Sequence, residues 1–395
     1  ISKDTSLGLM FDSLNRNLRY LFILNFAFGF SIQLITPLFP LFLNELGASA
    51  GENALVISIG SLASTILMIP SGLMLDRIGR KVLLVGSAVV NLVAIFLFSY
   101  TSTWQQVTPL FMLYNASWAL FIPARMAMIT ANSDLRNRSS VFGIMNTSWP
   151  IAGVISTLIS GYLIENLGWG QVFLVGALVN AVSILAGFNI ETGDVSEDSN
   201  NGGGFRELFK GEVLRVLTTF FIYGTLMTTA IGGVNLIVPL YLESEFALSA
   251  SKIALFFTLQ SFITLVTQMP SGRIADRYGR KRTLLSIIIF IPFLFASWHF
   301  IDNWKIMLIL NSLAFGLWSM TWPAILTLLS SSVPERLVGP AFGVNTTGNR
   351  LGTTIGPIIA SFFYVNYSKT FPFLGAAAIC LLGFLFAYRI NEPEN

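Results

Sequence analysis

The chain has 395 residues, 54% of them hydrophobic and only 11% charged, whereas a soluble domain carries roughly a quarter charged residues. One cysteine, Cys380, and one histidine, His299, exclude an intrachain disulfide and argue against Cys- or His-based metal and catalytic sites. The formal net charge of +3 acquires meaning only when sorted by side of a membrane. The apolar residues come in runs of about 20, long enough to cross a hydrocarbon core of roughly 30 Å.

In chain order, spans are expected at about Leu18–Leu43, Ala54–Leu75, Val82–Tyr100, Val107–Thr130, Val141–Ile164 and Gln171–Ile190. A second set follows at about Val213–Leu242, Ile253–Ile274, Thr283–Ile301, Ile306–Ser330, Ala341–Tyr364 and Thr370–Tyr388. Pro and Gly inside these runs are tolerated in membrane helices. Between the sets, Glu191–Glu212 is acidic and rich in Ser, Asn and Gly, and reads as a flexible linker. Phe205–Lys210 within it reads as a short interfacial helix. The expected fold is therefore an all-α membrane protein of two six-helix bundles, residues 1–190 and 213–395, joined by a linker at 191–212.

With the N-terminus inside, all but five of the 23 Lys and Arg residues fall in tails and loops on one side. Lys252, Lys305 and Lys369 lie in the opposite loops; Arg125 and Arg350 lie within spans. The positive-inside rule then places both termini in the cytoplasm, as in a prokaryotic plasma membrane. No cleavable signal peptide is expected, since Lys3–Arg19 is polar and leads straight into a full-length span.

The sequence repeats itself. Pro70-Ser71-Gly72, Asp76-Arg77 and Gly79-Arg80-Lys81 recur 200 positions later as Pro270-Ser271-Gly272, Asp276-Arg277 and Gly279-Arg280-Lys281. Trp118, Pro123-Ala124, Arg136 and Phe142-Gly143 recur as Trp318, Pro323-Ala324, Arg336 and Phe342-Gly343, and PLFL at Pro40 matches PLYL at Pro239. Such a repeat implies two halves related by an axis along the membrane normal.

Both copies of Gly-x-x-x-Asp-Arg-x-Gly-Arg-Lys resemble the loop signature of the major facilitator superfamily, between spans two and three and between eight and nine. The first copy departs at Met74 and Leu75, where the family usually has Leu and Ala; the second has Ile274 at the first of these and a fitting Ala275. The resemblance covers nearly the whole chain. It implies a transporter working by alternating access, with spans one, four, seven and ten around the pathway, and it names no substrate.

Physically, Gly79 and Gly279 permit a tight turn between helices, and Asp76 and Asp276 could face positive helix N-termini of the opposite half. The resemblance makes those span eleven for Asp76 and span five for Asp276. Arg80 could pair with Asp134, and Arg280 with Glu335, when the cytoplasmic side closes. Together with Arg77 and Arg277 these form an expected gating latch, each surface pair worth under about 1 kcal/mol. The bland alternative is that the basic loops serve topology alone.

Asn115, Trp118, Ile122 and Arg125 share one face of span four, and Asn311, Phe315, Trp318 and Trp322 one face of span ten. Asn25 and Gln33 on span one, Tyr223 on span seven, and Asn349 and Arg350 on span eleven complete the expected substrate-binding set. Trp118 and Trp318 are expected to face each other. Taken singly, such Asn and Trp residues can also simply pack helices.

Arg350 sits roughly 13 Å from the cytoplasmic end of its expected span, too deep to snorkel, so it needs a cavity, partner or ligand. Arg125 is nearer its helix end, so it could either snorkel to the inner surface or take a place in the cavity. No acid lies deep in a span, which makes the pathway electropositive and favours an anionic or electron-rich substrate. Gly348, Gly352 and Gly356 form a small-residue face for close helix approach. Pro150 and Gly153, and Gly356 and Pro357, only partly resemble the Gly-Pro-x-x-Gly element of family antiporters, because Trp149 and Ala360 stand where that element has glycine.

The leading expectation is efflux of amphipathic or anionic compounds by rocking of the two halves, with protons as a candidate coupling ion. Uptake or exchange of a small organic anion, and a non-transporting receptor on the same fold, are the alternatives. No cofactor, metal or nucleic acid is expected, and no nucleotide-binding or enzymatic motif is present. The partners are the bilayer and a small-molecule substrate, and a monomer is expected.

Overall fold

A computed structural model describes residues 14–133, 138–191, 208, 210–334, 337–390 and 392. Twelve helical segments follow one another: α1 (Arg16–Glu45), α2 (Ala50–Ile78), α3 (Arg80–Phe98), α4 (Trp104–Ala131), α5 (Arg138–Leu167) and α6 (Trp169–Phe188), then α7 (Gly211–Phe246), α8 (Ala250–Tyr278), α9 (Arg280–His299), α10 (Trp304–Ser331), α11 (Val338–Asn366) and α12 (Phe371–Tyr388). The linker, with the short helix expected at Phe205–Lys210, lies largely outside the described residues.

Among the described residues, eleven helices are long and apolar enough to span a bilayer. The remaining one, α11, has 29 residues but spends them on Asn345, Asn349, Arg350, four threonines and its glycines. Its polar groups are tolerated because it is embedded in protein, packed on α7 and α2. Large apolar side chains such as Leu178, Leu185, Phe293 and Val365 are more than 60% exposed, the outer surface expected of a body solvated by lipid.

Local chemistry sets the breaks. In α1 a 3-10 turn at Thr36–Leu38 separates Arg16–Ile35 from Phe39–Glu45, where Pro37 and Pro40 remove backbone donors. Gly79 (φ 88°) and Gly279 (φ 89°) form the joints between α2 and α3 and between α8 and α9. A left-handed φ costs an L side chain roughly 1–2 kcal/mol, which is why both copies of the signature carry glycine there.

Helix packing repeats along with the sequence. α1 packs on α5 and α6, α2 on α4, and α3 on α4 and α6; α7 packs on α11 and α12, α8 on α10, and α9 on α10 and α12. The tightest pair is α7 with α11. A Cβ on Gly352 would overlap the Thr228 hydroxyl and the Thr225 carbonyl, one on Gly356 the Thr229 carbonyl, and one on Gly348 would come within 2.8 Å of the Phe221 carbonyl. Gly224 and Gly233 of α7 return the approach, against Asn349 and Ala360. The small-residue face read from the sequence thus has α7 as its partner.

The halves meet along α2 with α11 and α5 with α8. Three hydrogen bonds between them share the side opposite the signature loops. Asn44 Nδ2 donates to Glu243 Oε2 (2.8 Å), Thr157 and Thr258 hydroxyls pair (2.8 Å), and Ser251 N donates to Glu165 Oε2 (3.3 Å). Gly161 presses on Ala254 and the Ser251 backbone. The molecule is closed on that side.

Candidate functional site

The centre of the interface is built on Trp118 of α4. Its ring lies near Phe28 (6.4 Å, 23°) and Phe121 (6.5 Å, 29°), which themselves stack at 4.0 Å, and it meets Trp149 of α5 edge-on at 4.6 Å. Trp149 is fixed from α1: its Nε1 donates to Asn25 Oδ1 (3.1 Å), and Gln33 Nε2 donates to its carbonyl (2.6 Å). Asn25 in turn donates to the Met145 carbonyl (2.9 Å) and to the Ser148 hydroxyl. Gly29 gives the indole room, since a Cβ there would come within 3.2 Å of it.

From the other half, Arg350 of α11 places its guanidinium 5.4 Å from the Trp118 ring centroid, within cation–π range. Because α11 begins at Val338, earlier than the sequence suggests, Arg350 lies about twelve residues in, roughly 18 Å from the helix start. Trp118 therefore meets Arg350 across the interface, whereas Trp318 turns to Phe315 (6.4 Å) and Trp322 (5.5 Å) in its own half. The expected Trp118–Trp318 pair is not formed among the described rings.

Arg125 lies two helical turns from Trp118 along α4, roughly 10 Å toward the signature side. It is only 7% exposed, so of the two places open to it, it takes the buried one and does not reach the surface. Asn146 of α5 holds it, accepting from Nη2 at 2.6 Å, while its Nε is buried without a partner. Among the described residues neither Arg125 nor Arg350 has an ion-pair partner. A buried guanidinium and a half-buried one, with no carboxylate paired to either among the described residues, need an anion, water or ring face to offset their desolvation.

The opposite wall comes from α7, α10 and α11. Tyr223, Trp318, Trp322, Asn345 and Asn349 line a cavity of about 20 Å³, space for about one water. The Tyr223 hydroxyl lies beside Thr321 yet makes no hydrogen bond of ordinary geometry, and Asn345 Oδ1 is likewise buried and unpaired. A larger cavity, about 580 Å³, lies away from this centre, at the signature-side ends of α7, α10 and α12.

Other expected residues are placed differently. Asn115 donates to the Phe111 carbonyl of its own helix (2.9 Å), and Asn25, fully buried, braces Trp149 instead of facing a pathway. Of the latch, Asp134 and Glu335 lie outside the described residues, as does the side chain of Asp76. Asp276 is exposed, and its Oδ1 lies 3.9 Å from Arg280 Nε; Arg77, Arg80 and Arg277 are at the surface. The backbone N–H groups of Arg280 and Lys281 donate to Glu392 (2.9 and 3.2 Å). Trp149 and Asn146 were missing from the expected set. The signal for Trp149 was its replacement of an expected glycine; for Asn146 it was a lone polar residue on the helix beside Arg125.

The chain matches the Major Facilitator Superfamily over residues 21–231 and 220–395. It is 26% identical over 377 residues to the Multi-drug resistance efflux pump PmrA homolog of Lactococcus lactis, covering 89% of each chain. It is also 26% identical to the Multidrug resistance protein MdtG of Escherichia fergusonii, over 97% of this chain and 98% of that one. The crystal structure of the nucleoside transporter NupG superposes with a TM-score of 0.77 at 14% identity, covering 98% of this chain, a likeness of fold alone. With both signature loops, the repeated packing and membrane-length helices, the chain is an integral multi-pass membrane transporter belonging to the Major Facilitator Superfamily.

Proposed function

We propose that the chain exports amphipathic organic compounds carrying a carboxylate, phosphate or other electron-rich group. The halves rock so that the Trp118–Arg350 contact is alternately exposed to each side, with both termini in the cytoplasm. The observation that carries this reading is the Arg350 guanidinium resting on the Trp118 face with no acidic partner among the described residues. An incoming anion can take the guanidinium by charge-assisted hydrogen bonds while its apolar body replaces it on the ring. Arg125, nearer the signature side, attracts the same charge first. The relatives' names, multidrug resistance and efflux, support the direction and breadth.

Proton antiport would have to run through span-end carboxylates such as Glu45, whose Oε2 accepts the Trp169 indole N–H at 2.9 Å. Transport indifferent to an imposed proton gradient would assign the chain to exchange or facilitated movement instead. The substrate class is tested by thermal unfolding of purified protein with matched anionic, neutral and cationic amphiphiles. The anionic member is expected to stabilise most, and stabilisation by cations alone contradicts the reading.

A further inference from the structure

The repeat makes a direct comparison possible at the signature-side corner of each half, where the first helix starts and the fourth and sixth end. In the N-terminal half an ion pair and several hydrogen bonds tie this corner together. Arg16 Nη1 pairs with Glu191 Oε1 at 3.1 Å. Asn17 Nδ2 donates to Asn132 Oδ1 (2.9 Å) and to the Glu191 carbonyl (3.0 Å), and Asn15 Nδ2 donates to the Asn132 carbonyl (2.9 Å). Asn15 also caps α1, accepting from Leu18 N at 2.9 Å.

The C-terminal half keeps the basic residue and loses these partners. PLFL at Pro40 matching PLYL at Pro239 puts Arg215 opposite Arg16, and Val216 opposite Asn17. The 200-residue register puts Ser332 opposite Asn132 and Arg389 opposite Asn189, while position 391, opposite Glu191, is asparagine in the sequence. The register is sound at this corner, because Ile190 and Ile390 are both buried, at 1% and 3% exposure. Lys210, the residue before α7, makes no side-chain cap, so the positive end of this 36-residue helix lacks the capping side chain that α1 has and carries only the carboxylate of Glu212 in its first turn.

The result is the cavity of about 580 Å³, with Arg215 and Arg389 on its rim and Val216, Phe220 and Ile390 in its wall. Among the described residues Glu212 is the one acid lining it, and no ion pair joins Glu212, Arg215 or Arg389. Hydroxyls of Ser331 and Ser332 donate to the Thr327 and Leu328 carbonyls of their own helix (2.9 and 2.7 Å). Two guanidinium groups with no ion pair among the described residues, that of Arg389 lying 5.5 Å from the Phe386 ring centroid, meet a helix N-terminus without a side-chain cap and an apolar wall where spans leave the membrane.

We propose that this cavity binds a phosphate group at the membrane surface, held by Arg215 and Arg389, with the apolar wall receiving whatever chain the phosphate carries. A basic pocket between span ends is the arrangement that recognises anionic headgroups. A phospholipid and free phosphate share this chemistry and differ in the use they make of Val216, Phe220 and Ile390.

The test titrates the full chain, purified in an uncharged detergent, with phosphatidylglycerol, phosphatidylcholine or inorganic phosphate, reading the unfolding midpoint and bound lipid by native mass spectrometry. Phosphatidylglycerol is expected to bind and stabilise, with affinity falling about fivefold for each of Arg215→Gln and Arg389→Asn. Arg16→Gln should leave that response unchanged. A response to inorganic phosphate equal to that to phosphatidylglycerol, and lost in the same variants, would assign the site to the soluble anion. Arg389→Asn installs the residue the other half carries, so it tests the site even if Arg215→Gln fails to fold. The proposal is overturned if neither probe binds, if phosphatidylcholine binds equally, or if both variants respond like the parent.

Discussion

At the scale of single residues, the site depends on guanidinium groups whose compensation is neutral. Among the described residues Arg125 has one hydrogen-bond partner, Asn146, at 2.6 Å, and a buried Nε with none. Removing that partner leaves a second orphaned donor in a place already short of acceptors, at a cost of about 1–3 kcal/mol. Asn146→Ala should therefore lower the unfolding midpoint of the purified protein, and a bound anionic amphiphile should restore part of the loss. An unchanged midpoint would mean that water already serves this guanidinium. Residue types and helical spacing pointed to Arg125, Trp118 and Arg350 from the sequence, but their partners were less legible. Which ring Arg350 covers depends on the meeting of two halves, and neither helix encodes that alone.

At the scale of elements, nearly everything with a local cause was readable. The spans follow from apolar run length, the α2–α3 and α8–α9 joints from Gly79 and Gly279, and the close-packed face of α11 from glycines four apart. What the sequence withheld was the partner of that face, α7, and the shift of the α11 start to Val338, since loop residues carry little hydropathy signal. The Gly352 contact gives a sharp expectation: its Cβ position is already taken by the Thr228 hydroxyl and the Thr225 carbonyl. Gly352→Val should cost about 1–3 kcal/mol or more through overpacking, read as a lower unfolding midpoint and poorer yield. Gly72→Ala, where a Cβ meets nothing within 4 Å, should be tolerated by the same assay.

At the scale of the whole molecule, the repeat predicts the same helix pairs in each half, and the packing has them. The closed side is held at corresponding positions of the two halves: Asn44 and Glu243 occupy equivalent places after PLFL and PLYL. Of the expected latch on the signature side, Asp134 and Glu335 lie outside the described residues. Rocking requires Thr157 and Thr258, now 2.8 Å apart between hydroxyls, to separate in every cycle. A Thr157→Cys/Thr258→Cys pair, made with Cys380 replaced, should arrest transport when oxidised and recover on reduction. Full activity of the cross-linked protein would exclude opening on that side.

The most direct test of the central claim is the flux of an organic anion through proteoliposomes carrying the parent, Arg350→Lys or Arg350→Ala. Loss of the guanidinium removes a charge-assisted contact and the cation on Trp118, so Arg350→Ala should fall about tenfold or more. Arg350→Lys should lie between, because it keeps the charge without the planar fork. Flux of the anion through Arg350→Ala at the parent's rate would contradict the account.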